Sequence, residues 1–470
     1  MFRFAAAATA VAMFATAASA APPKDTGEAA FRSLYKELVE TNTTGSAGSC
    51  TLAAERMAAR LKAAGFPDSD LVLFTPEGRP KDGGLVAIYP GKDPKAKAVL
   101  LLAHIDVVEA RREDWTRDPF VMVEEDGYFY GRGVADDKAQ AAIWTDMLIR
   151  YRQEGFKPRR TLKVALTCGE EGGGQVNGAA WLAKNRRELI DAGLALNEGG
   201  GGAFGPGGKR LTNTVLVAEK APVTFTFEVT NPGGHSSRPR PDNAIYQLSA
   251  ALQRLAAHEF PVQFNDGNRG FFQRMSKIVG GETGAAMAAI VANPTDAAAN
   301  AVLSKDVNYH AYLRTTCVAT MLDAGHAGNA LPQRARATVS CRILPGVPID
   351  EVRAALERAV ADPGVKITAG PRFFPESKPP ALTPAVLAPI EKVTAQMWPG
   401  VAVVPVMEAG ATDSSFLNAA GIPAYGVSGL FFDPDLGGVH GLNERVRVQS
   451  VMESREFLYR LVKIYADQKD

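Results

Sequence analysis

Val99-Leu100-Leu101-Leu102-Ala103-His104-Ile105-Asp106 decides how the rest of this chain is read. Five apolar residues in a row, ending on a polar cluster, are the pattern of a strand buried on both faces of a parallel sheet. Helical periodicity precedes it at 27–40 and 51–65, with short strands at Leu71 to Phe74 and Gly84 to Tyr89. A helix at about 137–153, a strand at Thr161 to Thr167, a helix at about 175–190 and a short strand near Leu194 follow it. Strands alternating with helices indicate an α/β sheet.

After Lys220 the pattern changes. Val223 to Val229 alternates like a half-exposed strand, and Asn243 to Leu255 is a helix. Tyr309 to Met321 and Ala335 to Ile343 read as two antiparallel strands, Pro348 to Ala361 as a helix and Val365 to Thr368 as a strand. The order β-α-β-β-α-β is that of a ferredoxin-like unit, here with a mainly helical insert at about 259–306. Ser377-Lys378-Pro379-Pro380 reads as the return linker, after which a helix (383–397), a strand (401–406), a helix (412–419) and a strand (422–427) resume the first pattern. The expected architecture is an α/β domain with a mixed central sheet flanked by helices (21–220 and 379–470), interrupted by an α+β lid (221–378).

The 470 residues carry 52 Lys plus Arg against 51 Asp plus Glu, a formal charge of +1. That balance argues against a nucleic-acid binder or a polybasic membrane-surface protein. Arg3, the apolar run Phe4 to Thr16 and the small-residue site Ala18-Ser19-Ala20 read as a secretory signal peptide over 1–20. No other stretch approaches membrane length. The expected destination is periplasmic or extracellular. Disulfides form there, and Cys317 and Cys341 could face each other across a hairpin or remain buried thiols.

Acidic and His residues gather where strands end: His104 and Asp106, Asp136-Asp137, Glu170-Glu171, Glu198, and His440 in a late loop. Ligands of open α/β sheets bind beyond the carboxyl ends of strands. Two imidazoles and three carboxylates suit a pair of divalent metals, which polarise a carbonyl and activate water. A further, uncoordinated carboxylate must then take the water's proton and pass it to the leaving amine.

Together these segments resemble the co-catalytic zinc metallopeptidases that include glutamate carboxypeptidase, aminoacylase, carnosinase, acetylornithine deacetylase and succinyl-diaminopimelate desuccinylase. The matching motifs are Leu101 to Val108, Tyr130-Gly131-Arg132-Gly133-Val134-Ala135-Asp136-Asp137-Lys138, Thr167-Cys168-Gly169-Glu170-Glu171, Asn197-Glu198-Gly199-Gly200 and His440-Gly441-Leu442-Asn443-Glu444. The resemblance implies that His104, Asp136 and Glu198 bind one Zn²⁺ and that Asp136, Glu171 and His440 bind the other. Co²⁺ or Mn²⁺ would be accepted by the same donors. It makes Glu170 the general base and then acid, and Asp106 the residue that orients His104. The peptide bond after Asp136 is often cis in such enzymes.

The lid carries matching features. Asn231-Pro232-Gly233-Gly234-His235 resembles a loop whose His stabilises the oxyanion, in dimeric relatives from the partner subunit. Gly328-Asn329-Ala330-Leu331-Pro332 with Arg342 resembles a substrate-binding pair, the Arg fork suiting a carboxylate. Gly410-Ala411-Thr412-Asp413-Ser414 resembles a substrate-side loop, with Gly410 and Thr412 as contacts. The insert could enlarge a homodimer interface through the lid, or cover the site and permit a monomer. The implied activity is hydrolysis of amide bonds in small peptides, carboxypeptidase-like, with N-acyl-amino-acid deacylation as the alternative. A non-catalytic periplasmic binding protein would share the signal and the two lobes but would need neither the ligands nor the base.

Overall fold

The computed structural model describes residues 27–376 and 378–469. The signal-peptide reading of 1–20 lies outside them. Ten strands among the described residues form one sheet. Its path runs Leu71–Phe74, Gly84–Tyr89, Leu162–Thr167, Val99–His104, Leu194–Asn197, Ala424–Gly426, Arg210–Glu219, Gly201–Phe204 and Phe431–Phe432, with Ala402–Glu408 also paired to Arg210–Glu219. Val99–His104 lies between two parallel neighbours, Leu162–Thr167 and Leu194–Asn197. Gly84–Tyr89 joins antiparallel, so the sheet is mixed.

The apolar run at 99–103 is buried on both faces. Val99, Leu101 and Ala103 join a core built with the helices Glu28–Glu40, Cys50–Ala63, Lys138–Gln153 and Val448–Asp467. Leu100 and Leu102 enter a second core with Leu182 and Leu417 from the helices on the other side. Period-two alternation between two apolar cores explains why no polar residue interrupts the strand.

At Lys220 the chain leaves this sheet. Arg210–Glu219 ends in it, and Ala221–Thr230 begins a second, four-stranded antiparallel sheet. Its order is Thr316–Ala324, Arg334–Ile343, Ala221–Thr230, Lys366–Ala369, and the helices Ala244–Ala256 and Ile349–Val360 pack on one face. This is the lid.

Three readings change. The segment at 309–313 is helical: Val307–Leu313 forms a helix capped by the Asp306 side chain, and the strand starts at Thr316. Tyr309 and Tyr312 pack with Phe271 there, so tertiary contact overrides their strand propensity. The helix expected at 175–190 starts at Gly178, where the Asn177 side chain accepts from Ala180 N, and breaks at Arg186 (φ −143°, ψ 47°) into Gly178–Asn185 and Arg187–Ile190. The glycines after Glu198 lead into Gly201–Phe204, where a Cβ at Gly202 would lie 2.1 Å from the Phe431 ring. Finally, the helical insert extends to 313, and Phe271 and Met275 pack on Leu216, Val404 and Val406 of the ten-stranded sheet.

Both cysteine pairs are joined, Cys317–Cys341 across neighbouring lid strands and Cys50–Cys168 between a helix start and a strand end. The second pair, 118 residues apart in sequence, has no local signal.

Candidate metal centre and active site

His104 ends its strand with a ring only 1% exposed. Its Nδ1 faces the Asp106 backbone carbonyl at 3.1 Å, which fixes the ring and aims Nε2 at the cleft. Nε2 lies 3.0 Å from Asp136 Oδ1 and 3.5 Å from Glu198 Oε2. The other oxygen of Asp136 lies 3.0 Å from His440 Nε2. That imidazole is also 3.0 Å from the Glu171 carboxylate. Asp136 thus stands between two imidazoles, each with a second carboxylate of its own.

The Asp106 carboxylate has a further task. It accepts the backbone N–H of Glu170 at 3.3 Å and of Glu171 at 3.0 Å, so it orients the acidic pair as well as the His104 loop. The Asp136–Asp137 peptide bond is cis. Glu444, not assigned a role from sequence, is fully buried and holds this loop. Its carboxylate pairs with Arg132 at 2.8 Å and accepts the N–H groups of Gly133 and Ala135 at 2.9 Å and of Asp136 at 3.3 Å. Asp413 is a second residue whose role the sequence left open. Buried, it accepts from Asn177 at 2.6 Å and Thr167 at 3.0 Å behind the Glu170 loop. Each sat inside a motif quoted above, but only the fold supplies its partners.

The centre is crowded with negative charge. Burial, then the neighbouring Glu198 charge, pushes the Glu170 carboxyl up to about 11. Burial pushes Glu198 up to about 7. Burial also raises Asp136, but hydrogen bonds from His104 and His440 outweigh it and hold that carboxyl below its usual range. His440 is pushed up to about 10 by its bonds to Asp136 and Glu171. Glu198 Oε1 and Asp137 Oδ2 are buried without a hydrogen-bond partner. Donor atoms of His104, Asp136 and Glu171, and of His104, Glu170 and Glu198, form two overlapping sets, the atoms in each within 4.8 Å of one another. Orphaned oxygens amid like charges are what a divalent cation would satisfy.

The remaining expected residues lie elsewhere. His235 pairs with Ala330 in a short lid ladder, its Nδ1 accepting from the Ser237 hydroxyl at 2.8 Å. The Asn329 carbonyl accepts from Ser236 N at 3.1 Å. The structure brings His235 and Asn329 together on the lid, with no hydrogen bond or ion pair to the centre among the described residues. Arg342 sits opposite Thr316 and Pro222 at the hinge end of the lid sheet. Its positive charge adds to burial in lowering the Lys220 ammonium to about 7. Thr412 is buried: its hydroxyl donates to Glu219 at 2.5 Å and accepts from Asn197 at 3.1 Å, which commits it to the scaffold. Gly410 is exposed.

The sequence pattern described as "Peptidase family M20/M25/M40" matches residues 100–464, most of the chain. This protein belongs to that family. As an M20 member it is a hydrolase of peptide or other amide bonds. The chain is 30% identical over 380 residues to human N-fatty-acyl-amino acid synthase/hydrolase PM20D1, covering 79% of this chain and 75% of that one. It is 28% identical over 388 residues to the probable carboxypeptidase S-like 2 of Dictyostelium discoideum, covering 81% and 74%. The fold is that of the M20 metallo-carboxypeptidase Sso-CP2 from Sulfolobus solfataricus, with a TM-score of 0.66 at 17% identity, covering 93% and 99%.

Proposed function

We propose that this protein is a secreted, di-zinc hydrolase of N-acyl amino acids, cleaving the amide bond beside a free carboxylate. The observation that carries the reading is Asp136 placed 3.0 Å from both His104 and His440, with Glu170 close by and outside the imidazole contacts. N-acyl amino acids come first because the human relative named above acts on that class. C-terminal hydrolysis of peptides is the second reading, favoured by the carboxypeptidase S-like relative, and the same centre serves it.

The donors fit two divalent ions: His104, Asp136 and Glu198 would hold one, and Asp136, Glu171 and His440 the other. Bound there, the ions would supply Lewis-acid polarisation and a water acidic enough to ionise near neutral pH. Glu170 would take a proton from the attacking water on its carboxylate as oxygen adds to the amide carbon. It then returns the proton to the departing nitrogen as the C–N bond breaks, so the products are a carboxylic acid and an amine, which leave as carboxylate and ammonium once the acid's proton has passed to the amine. The same cations would lower the Glu170 pKa from its raised value, bringing it into the range a proton shuttle needs. Arg342 supplies the fork for the substrate carboxylate. The Arg342 and Arg314 charges at that end of the lid add to burial in lowering Lys220.

Secretion is supported by the pairing of all four cysteines, which reducing compartments do not sustain. A second copy joining through the lid is supported by its edge strand Thr316–Ala324, where Val318, Met321 and Leu322 are 62%, 69% and 65% exposed. No helix of the described residues is long and apolar enough to cross a membrane.

The test is hydrolysis by the zinc-loaded mature protein of a panel of N-acyl amino acids, dipeptides and longer peptides, with products identified by mass. Cleavage of N-acyl amino acids supports the reading. Release of C-terminal residues from peptides alone moves the assignment to a carboxypeptidase, and no turnover with two metals bound refutes both.

A further inference from the structure

The carboxylates Glu170 and Glu171 ride on a loop with little intrinsic order. Gly169, Gly172, Gly173 and Gly174 all adopt left-handed φ, from 51° to 82°. Such a run has a large conformational entropy to lose. Its order must come from outside, and much of it comes from one segment, Thr41 to Cys50.

This segment touches three of the loops that feed the centre, those of His104, Asp136 and Glu170. The Thr41 carbonyl accepts the buried Lys138 ammonium at 2.8 Å, two residues beyond Asp136. Ser46 donates from N and Oγ to the Glu109 carboxylate at 2.9 and 2.8 Å, three residues beyond Asp106. Gly45 lies against the Glu171 side of the acidic loop: a Cβ there would stand 2.7 Å from the Gly173 carbonyl. Gln175, closing that loop, donates to Cys168 Sγ at 3.2 Å and to the Thr43 carbonyl at 3.4 Å. Cys50, at the start of its helix, is bonded to Cys168, two residues before Glu170. The segment is itself stiff: Gly48 N bonds Thr44 O, Ser49 N bonds Asn42 O, and Thr43 and Thr44 are buried.

We propose that Thr41–Cys50 is a positioning brace for the catalytic centre, holding the His104, Asp136 and Glu170 loops in mutual register, with the Cys50–Cys168 disulfide as its lock. None of its residues reaches the donor atoms. It acts through Glu109, Lys138 and Cys168, the neighbours of the groups that would hold metal and move the proton. A crosslink of purely global value would lower stability and leave the centre's affinity unchanged. A brace sets the separation of the donors, and therefore the affinity and the turnover.

The kinetic arm rests on the amide-hydrolase reading, so the experiment includes two readouts that do not. The mature chain, its Cys50→Ser/Cys168→Ser variant and its Gly45→Ala variant are compared. The second of these changes one exposed residue and wedges the two loops apart without removing a bond. Zn²⁺ affinity is measured by chelator competition, hydrogen exchange over 169–176 by mass spectrometry, and kcat and KM on the best substrate of the panel. Cys317→Ser/Cys341→Ser controls for loss of a disulfide as such.

Both brace variants are expected to lose about tenfold or more in Zn²⁺ affinity, the usual scale when support behind metal ligands is removed. Exchange over 169–176 accelerates in both. Their kcat falls by about tenfold while KM stays within about threefold, because substrate contacts are untouched. The lid-disulfide variant shows none of this. Wild-type affinity and exchange in both brace variants, or equal losses in the lid-disulfide variant, overturn the proposal. If the wild-type protein turns over nothing, the functional reading fails, and affinity with exchange still decides the brace.

Discussion

Replacing Glu444 by Ala removes a side chain that touches no substrate yet should damage both stability and the centre. Its carboxylate is fully buried and faces an Arg132 guanidinium that is 3% exposed. Removing one partner of such a pair leaves an uncompensated charge, which costs about 3–5 kcal/mol. The N–H groups of Gly133 and Ala135 also lose their acceptor, at about 1 kcal/mol or more each if water cannot reach them. A loss of at least about 4 kcal/mol is therefore expected, a large part of the roughly 5–15 kcal/mol that holds a typical fold. Urea unfolding followed by tryptophan fluorescence measures it, because Trp115 stacks 5.0 Å from Arg132 and reports locally. Glu444→Leu combined with Arg132→Met removes both charges. It should recover about 2 kcal/mol or more relative to the sum of the single changes. Zn²⁺ affinity should still fall about tenfold in the double variant, since the Asp136 loop has lost its anchor. A single-variant loss below about 1 kcal/mol, or strict additivity in the cycle, would refute the claim that Glu444 anchors the loop through a buried pair.

Glu170→Gln keeps the shape of the side chain but cannot accept a proton. Its kcat should fall by about 10²–10⁴ with two metals still bound, measured by turnover and metal analysis. Arg342→Ala should raise KM by roughly tenfold or more for substrates with a free carboxylate, and much less for their amidated counterparts. Glu219 titrates near neutrality: burial lifts its carboxyl from 4.5 to about 7, so the folded state holds that proton more tightly than the unfolded chain does. Its contribution favours folding fully below about pH 4.5 and is lost as pH rises through about 7. Glu219→Gln should flatten the stability–pH curve across that window in urea titrations. Met321→Lys on the lid's exposed edge strand should yield a monomer by light scattering if the wild-type protein is a dimer through that edge.

The buried strand at 99–103 and the acidic clusters at strand ends were legible because their signals are local: an unbroken apolar run, then a change of polarity. The α+β unit was legible for the same reason, as an order of periodicities. The helix at 307–313 was not. Its tyrosines favour a strand locally, and the Phe271 cluster that holds them helical is assembled from distant sequence. Thr412 was readable as part of a motif, but not as buried scaffold, since that depends on Glu219 and Asn197 arriving from other strands.

Sequence by itself therefore determined the donor types, their order and the strand ends from which they project. Residue identity and short-range periodicity suffice for those. The tertiary structure alone decided that Asp136 stands between His104 and His440, that Glu444 reaches Arg132 across more than three hundred residues, and that Cys50 finds Cys168. Such partners are chosen by packing, where the cost of leaving a buried charge or donor unmatched selects one arrangement from many that the same residues could make.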